Sequence, residues 1–299
     1  MKTEILKLKK EKNAVILAHY YAPADVQEIA DYVGDSFYLA KIAKSVEADI
    51  IVFCGVRFMG ESAKILNFNK KVLVPDLTAD CPMAHMVAEG KIAEMRRRYD
   101  DLAVVCYINS TAELKCQSDV CVTSSNAVKI VKALENKNIF FIPDKNLGSF
   151  VARQVPEKNI ILNDGFCPIH AKITAEQVLK EKEKHPDAKV LTHPECEKEV
   201  LEISDFIGST AEIIDYAKDS REKEFIICTE EGVSCRLMGD NPHKKFFFPE
   251  PCPCCVDMKL NSLKTVLDVL QNEENEIIID EKTRSRAMLP LDKMLELAR

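Results

Sequence analysis

Three stretches of this chain follow one plan. The apolar run Lys189 to Thr192 closes on His193-Pro194-Glu195, and 86 positions earlier Ala103 to Cys106 closes on Tyr107-Ile108-Asn109. A further 88 positions back, Ala14 to Ala18 closes on His19-Tyr20-Tyr21. A second landmark carries the same two shifts: Asp205-x-x-x-Ser209-Thr210, Asp119-x-x-x-Thr123-Ser124 and Asp31-x-x-x-Asp35-Ser36. A third consists of apolar runs closing on Asp76, Asp164 and Glu250, each followed by cysteine: Cys81, Cys167, and the cluster Cys252, Cys254, Cys255. A period this long exceeds any solenoid unit. It implies three small domains, 1–82, 83–168 and 169–255, with a segment 256–299 expected to pack on the first.

Within each unit the pattern reads strand, loop, helix, short strand, helix, strand, helix, strand. In the first these are Ala14 to Ala18, Pro23 to Ala30, Tyr32 to Gly34, Ser36 to Val46, Ile50 to Cys54, Met59 to Leu66 and Val72 to Val74. Strands apolar throughout and alternating with helices predict parallel sheets covered on both faces, hence an α/β class of three αβα layers in pseudo-threefold arrangement. Ligands of such sheets gather at the carboxyl ends of strands, where His19, Tyr107 and His193 fall. Ser36, Ser124 and Thr210 each begin an amphipathic run and are expected as helix N-caps. Three helix N-termini around one centre would suit a small ligand with several anionic groups. In the tail, Asn261 is expected to cap a helix from Ser262 to Leu270. A strand at Ile277 to Ile279 and helical segments around Pro290 should follow.

Composition excludes several classes. With net charge −7 the chain offers no basic face, so nucleic acid is not expected as a partner. Arg96-Arg97-Arg98 reads as a solvated helix end. No apolar stretch has the length of a membrane span, and Met1 to Asn13 lacks the apolar core of a signal peptide, so a cytoplasmic protein without membrane contact is expected.

In that compartment twelve cysteines are not expected to form disulfides. Cys54, Cys106, Cys121 and Cys228 sit inside apolar runs, as small buried hydrophobes do. The five in loops after the last apolar run of each unit are the ligand candidates. Three thiols from three units fit poorly with structural zinc, which takes four ligands, often from close pairs. Thiolates also suit iron–sulfur clusters. A cubane on three cysteines would leave one iron open as a Lewis acid. The other reading of Cys252-Pro253-Cys254-Cys255 is a closed metal knot with His243, and spacing alone leaves both open.

Residue blocks in order along nearly the whole chain resemble the quinolinate synthase family. They include Ala18-His19-Tyr20-Tyr21, Ile29 to Ser36, Phe58-Met59-x-Glu61, Cys81-Pro82-Met83-Ala84 and Tyr107 to Glu113. Thr123 to Ala127, Pro143 to Leu147, Gly165 to His170, His193 to Cys196, Gly208 to Thr210 and Cys255 to Lys259 complete the set. The resemblance implies three α/β domains around a [4Fe–4S] cluster with one open iron. It implies condensation of iminoaspartate with dihydroxyacetone phosphate to quinolinate, with loss of phosphate and two waters, on the route to NAD. An aspartate oxidase or dehydrogenase would then supply the imine. The rival reading is a non-catalytic iron–sulfur or zinc-binding regulatory protein.

By this resemblance His19, Ser36, Tyr107, Asn109, Ser124, His193, Glu195 and Thr210 line the substrate site, with Tyr21 as a further acid–base group. Glu195 is the expected general base, since burial can tune a carboxylate toward neutral pH. His19, His193 and Tyr107 are the other catalytic candidates. His170 would stand outside the reacting groups, and His85 and His185 at the surface. Cys81, Cys167 and Cys255 are the implied metal ligands, because the family's last ligand precedes a Met three positions on, as Cys255 precedes Met258. Ala22 stands where the family commonly has Gln, which implies a change in the polarity of that loop.

Overall fold

A computed structural model describes all 299 residues. The first sheet holds β1 (Ala14–His19), β2 (Tyr32–Gly34), β3 (Ile50–Cys54) and β4 (Lys71–Leu73), in the order β2-β1-β3-β4. The second holds β5 (Leu102–Tyr107), β6 (Val120–Val122), β7 (Asn138–Ile142) and β8 (Asn159–Leu162), in the order β6-β5-β7-β8. The third holds β9 (Lys189–Thr192), β10 (Phe206–Ile207), β11 (Glu224–Cys228) and β12 (Lys245–Phe247), in the order β10-β9-β11-β12. All ladders are parallel. One strand order occurs three times, as the repeat requires.

The repeated Asp explains its own spacing. Its carboxylate accepts a backbone N–H of the unit's first strand: Ile16 to Asp31 at 2.8 Å, Val104 to Asp119 at 2.6 Å and Val190 to Asp205 at 2.9 Å. Its own N–H returns a bond to the same residue's carbonyl in all three units. This closed pair sets the register of β2, β6 and β10 against β1, β5 and β9. The central strands are buried almost throughout, since helices cover both faces.

In the first and third units the N-cap falls one place earlier than expected, and in the second it falls two places later, at Asn126. Asp35 caps the helix Ser36–Ser45 by accepting from Tyr38 N–H at 2.8 Å, and Ser209 caps Thr210–Asp219 in a capping box with Glu212. Ser36 and Thr210 are therefore first helical residues. Ser124 lies in a turn before the helix Ala127–Ala133, where the Asn126 side chain accepts from Thr123 N–H at 2.7 Å. A cap needs extended backbone one residue before the helix. Asp35 and Ser209 meet that need in the first and third units, which leaves the hydroxyls of Ser36 and Thr210 free of capping; in the second unit the N-cap is Asn126.

The tail also differs from expectation. Ser262, not Asn261, caps the helix Leu263–Asn272, while the buried Asn261 amide donates to the Gly55 and Met258 carbonyls. Ile277 to Ile279 forms no strand; a single bridge joins Glu276 to Leu73. One helix, Glu281–Leu297, runs straight through Pro290. The ring removes one helical bond at about 3 kcal/mol, offset by burial of Ala287, Leu291 and Met294 in the core of the first two sheets. That helix packs on β6, Ala112–Lys115 and Arg57–Leu66, and Leu263–Asn272 packs on Lys2–Glu11. Lys91–Arg98 ends in the arginine run with those side chains exposed. No helix is long and apolar enough to cross a membrane.

Candidate functional site

The carboxyl ends of β1, β5 and β9 open onto one cavity of about 80 Å3. It is lined by His19, Tyr21, Ser36 and Cys81 from the first unit, and by Tyr107, Asn109, Ser124 and Cys167 from the second. His193, Glu195, Thr210 and Cys255 come from the third. Every substrate-site, catalytic and metal-ligand residue implied by the resemblance thus lines one cavity. Cys252 and Cys254 are not on its wall, and no lysine or arginine side chain is either.

Two histidines are held by one local device. Tyr21 N–H donates to His19 Nδ1 at 3.2 Å, and Glu195 N–H donates to His193 Nδ1 at 3.3 Å. Burial lowers both imidazoles to about 3, so both are neutral at ordinary pH. With Nδ1 accepting, the proton rests on Nε2, leaving each ring a donor there. The N–H groups of Ser36, Ser124 and Thr210 also donate to no protein group. These are donors without a protein partner on residues that line a cavity with no lysine or arginine on its wall.

A chain of hydrogen bonds crosses the site. Tyr21 Oη lies 2.7 Å from Thr210 Oγ1 and 2.7 Å from Thr229 Oγ1. Thr229 Oγ1 lies 2.9 Å from His170 Nε2. His170 Nδ1 reaches Glu195 Oε2 at 2.7 Å and Cys167 Sγ at 3.2 Å, and the His170 ring stacks on His193 at 4.6 Å. His170 is buried and lines the cavity, contrary to the secondary place expected for it. Burial works against a charged Glu195. The His170 ring at 2.7 Å and the Tyr107 phenol outweigh it and hold this carboxyl below its ordinary range. The sequence reading expects burial to tune this carboxyl upward; the groups around it act in the opposite sense. Its Oε1, like Asn109 Oδ1, is buried without a partner. Burial pushes the Tyr21 and Tyr107 phenols well above their ordinary value.

Sequence reasoning missed Thr229 and Glu230, although the repeat offers a signal for Glu230. Glu230 and Asp144 both follow the third strand of their units and are 86 positions apart. Gly232 marks a close approach, since a Cβ there would stand 2.7 Å from Tyr21 Cα. Ala22 is fully buried, and Gln27 Nε2 donates to its carbonyl and to that of Tyr20, both at 2.8 Å. His85 is exposed beside Asp80 at 2.8 Å, whereas His185 is half-buried against Phe247 rather than free at the surface.

The thiols of Cys81, Cys167 and Cys255 suit a metal group as a donor set. All are pushed up by burial, Cys255 to about 11, so each would ionise against a cation rather than alone. The unpartnered acceptors Glu195 Oε1 and Asn109 Oδ1 stand in the same cavity and lack donors.

Fold and site define a three-unit α/β protein in which thiols and a buried hydrogen-bond chain meet in one cavity. The family model described as Quinolinate synthetase A protein matches residues 3–296, and the chain belongs to that family. Relatives named quinolinate synthase include one from Caldicellulosiruptor bescii, 54% identical over 99% of this chain and 98% of that one. The relative from Fusobacterium nucleatum is 53% identical over 100% and 99%, and that from Clostridioides difficile 49% over 99% and 97%. The family and the cysteine set together point to a metal cofactor.

Proposed function

We propose that the chain is a cytoplasmic quinolinate synthase that condenses iminoaspartate with dihydroxyacetone phosphate, losing phosphate and two waters, on the route to NAD. The observation that carries this is the Tyr21–Thr229–His170–Glu195 chain beside three thiols in one cavity. Its working units are 1–82, 83–168 and 169–255, with 256–299 completing the fold. An aspartate oxidase or dehydrogenase is the class of enzyme that supplies an imine of this kind.

Cys81, Cys167 and Cys255 would hold a [4Fe–4S] cluster. When bound, the group supplies a Lewis acid at the iron that has no protein ligand. The chain's own residues do the rest. His19 and His193 donate from Nε2, and the N–H groups of Ser36, Ser124 and Thr210 donate from helix starts and turns, to the substrates' carboxylates and phosphate. Asn109 orients, with its Oδ1 free to accept from an amine or hydroxyl. Glu195 Oε1 takes a proton, and Tyr107 donates to the same carboxylate. Tyr21 Oη gives a proton to a departing oxygen and regains one along Thr229 and His170. Because neutral donors bind the anions, substrate charge is not cancelled in the ground state. Stabilisation remains for charge that develops later.

Anaerobic reconstitution with iron and sulfide, followed by visible and EPR spectra with and without a phosphorylated substrate analogue, tests the reading. An open site changes its spectrum and the chain turns over. A regulatory protein with a closed metal site would show neither response.

A further inference from the structure

The three thiols on the cavity wall share a feature that the proposed reaction does not use. The backbone N–H of each is held by a carboxylate. Cys81 N–H donates to Asp80 Oδ1 at 2.8 Å, Cys167 N–H to Asp144 Oδ2 at 3.1 Å, and Cys255 N–H to Glu230 Oε1 at 3.0 Å. Neither Cys252 nor Cys254 makes such a bond, although both lie in the same loop as Cys255.

Asp144 and Glu230 occupy equivalent places in the second and third units, and both are fully buried. Each divides its two oxygens between two tasks. Asp144 Oδ1 accepts from Asn146 and Leu147 N–H at the start of the helix Lys145–Gln154, and Oδ2 serves the cysteine loop. Glu230 Oε2 accepts from Gly232 N–H at 2.7 Å, and Oε1 serves the other cysteine loop. The equivalent place in the first unit, 88 positions before Asp144, is Val56. There the helix Arg57–Leu66 starts with no side-chain cap, and Asp80 takes the cysteine N–H from the adjacent position. An apolar residue therefore suffices to start this helix. A buried carboxylate costs several kcal/mol unless its bonds are made, so its presence in the other two units needs a different account. The feature common to all three units is the bond to the cysteine.

Glu230 has one more partner. Lys259 Nζ lies 2.8 Å from Glu230 Oε1 and donates to the Tyr21 carbonyl at 2.9 Å. The Cys255 loop is thereby tied to the Tyr21 loop of the first unit.

We propose that Asp144 and Glu230, with Asp80 in the first unit, are positioning residues that aim the Cys167, Cys255 and Cys81 loops at one shared metal group. The proposal rests on the reading of these thiols as its ligands, and it explains why Cys255 rather than its neighbours faces the cavity. The variants Asp144→Asn and Glu230→Gln keep one oxygen for the helix start and have none for the cysteine N–H. Asp80 needs Asp80→Ala, because asparagine would keep an oxygen for the Cys81 N–H; it caps no helix, so its folding is the safest of the three. After anaerobic loading, iron loss to a chelator should be about 10-fold faster or more in each variant, in the range typical of outer-shell partners. In the metal-free chain, amide hydrogen exchange at the affected cysteine should also quicken, with the melting temperature within a few degrees of wild type. If wild type takes up no iron and sulfide, the ligand reading falls and the proposal with it. If wild type loads and the folded variants match it in iron loss and exchange, the positioning role alone is overturned. Should a buried variant not fold, Asp80→Ala decides.

Discussion

Replacing Tyr21 by Phe removes one hydroxyl and keeps the ring, which separates a chemical role from a structural one. The hydroxyl makes two bonds of 2.7 Å, to Thr210 and Thr229 of the third unit. Thr210 Oγ1 loses its side-chain partner, while Thr229 Oγ1 keeps His170 Nε2 at 2.9 Å. Two neutral bonds contribute about 1–3 kcal/mol together, a fall of several degrees in melting temperature at roughly 2–4 °C per kcal/mol for a large domain. Loss of a positioned proton donor acts on a different quantity, lowering kcat by about 10²–10⁴-fold. Thr210→Val is the comparison, since it breaks one of the two bonds and leaves Tyr21–Thr229–His170 connected. A missing neutral bond is about 10-fold at most, and loss of substrate contact falls mainly on KM. Anaerobic quinolinate formation at saturating substrate should therefore drop at least 100-fold in Tyr21→Phe and no more than about 10-fold in Thr210→Val. If the two variants fall by similar factors, Tyr21 is a latch between units and the proton role is refuted.

Other expectations follow from the same geometry. Cys81→Ala, Cys167→Ala and Cys255→Ala should each abolish iron–sulfur absorption and activity, while Cys252→Ala and Cys254→Ala, which lie off the cavity wall, keep most of both; a brown, active Cys255→Ala would reverse the assignment. Ser124→Ala should weaken substrate binding by about 0.5–2 kcal/mol with little change in melting temperature, because Ser124 caps no helix; an unchanged KM would remove it from the site. Glu273 is lowered to about 2 by hydrogen bonds and charge from Lys12 and Lys71. A depressed carboxyl stabilises above its unfolded value and loses that contribution as pH falls through the folded one, here from about 4.5 toward 2. The pair is solvent-screened and contributes about 1 kcal/mol at most, so Glu273→Gln should melt slightly below wild type at pH 7 and converge with it as pH falls below 4.5.

Much of this architecture is legible in the sequence because its causes are local and repeat at fixed offsets. Apolar runs dictate strands, alternation with helices dictates parallel pairing, and the Asp31, Asp119 and Asp205 bonds to the adjoining strand occur three times at the same spacings. Strand-end residues such as His19, Tyr107 and His193 could be named as site residues for that reason. What depends on distance along the chain could not be read this way. His170 and Thr229 carry no pattern that marks them. Their importance comes from Tyr21, nearly 150 residues from His170 in sequence, arriving within hydrogen-bond reach of Thr229. The low range of Glu195 likewise follows from the His170 imidazole and the Tyr107 phenol supplied by separate loops, which no local rule of carboxyl burial contains. Asp144 and Glu230 look like ordinary helix starts in sequence. Only the packed structure brings the cysteine N–H groups to their second oxygens, because a hydrogen bond is decided by position in space and the repeat fixes position only within each unit.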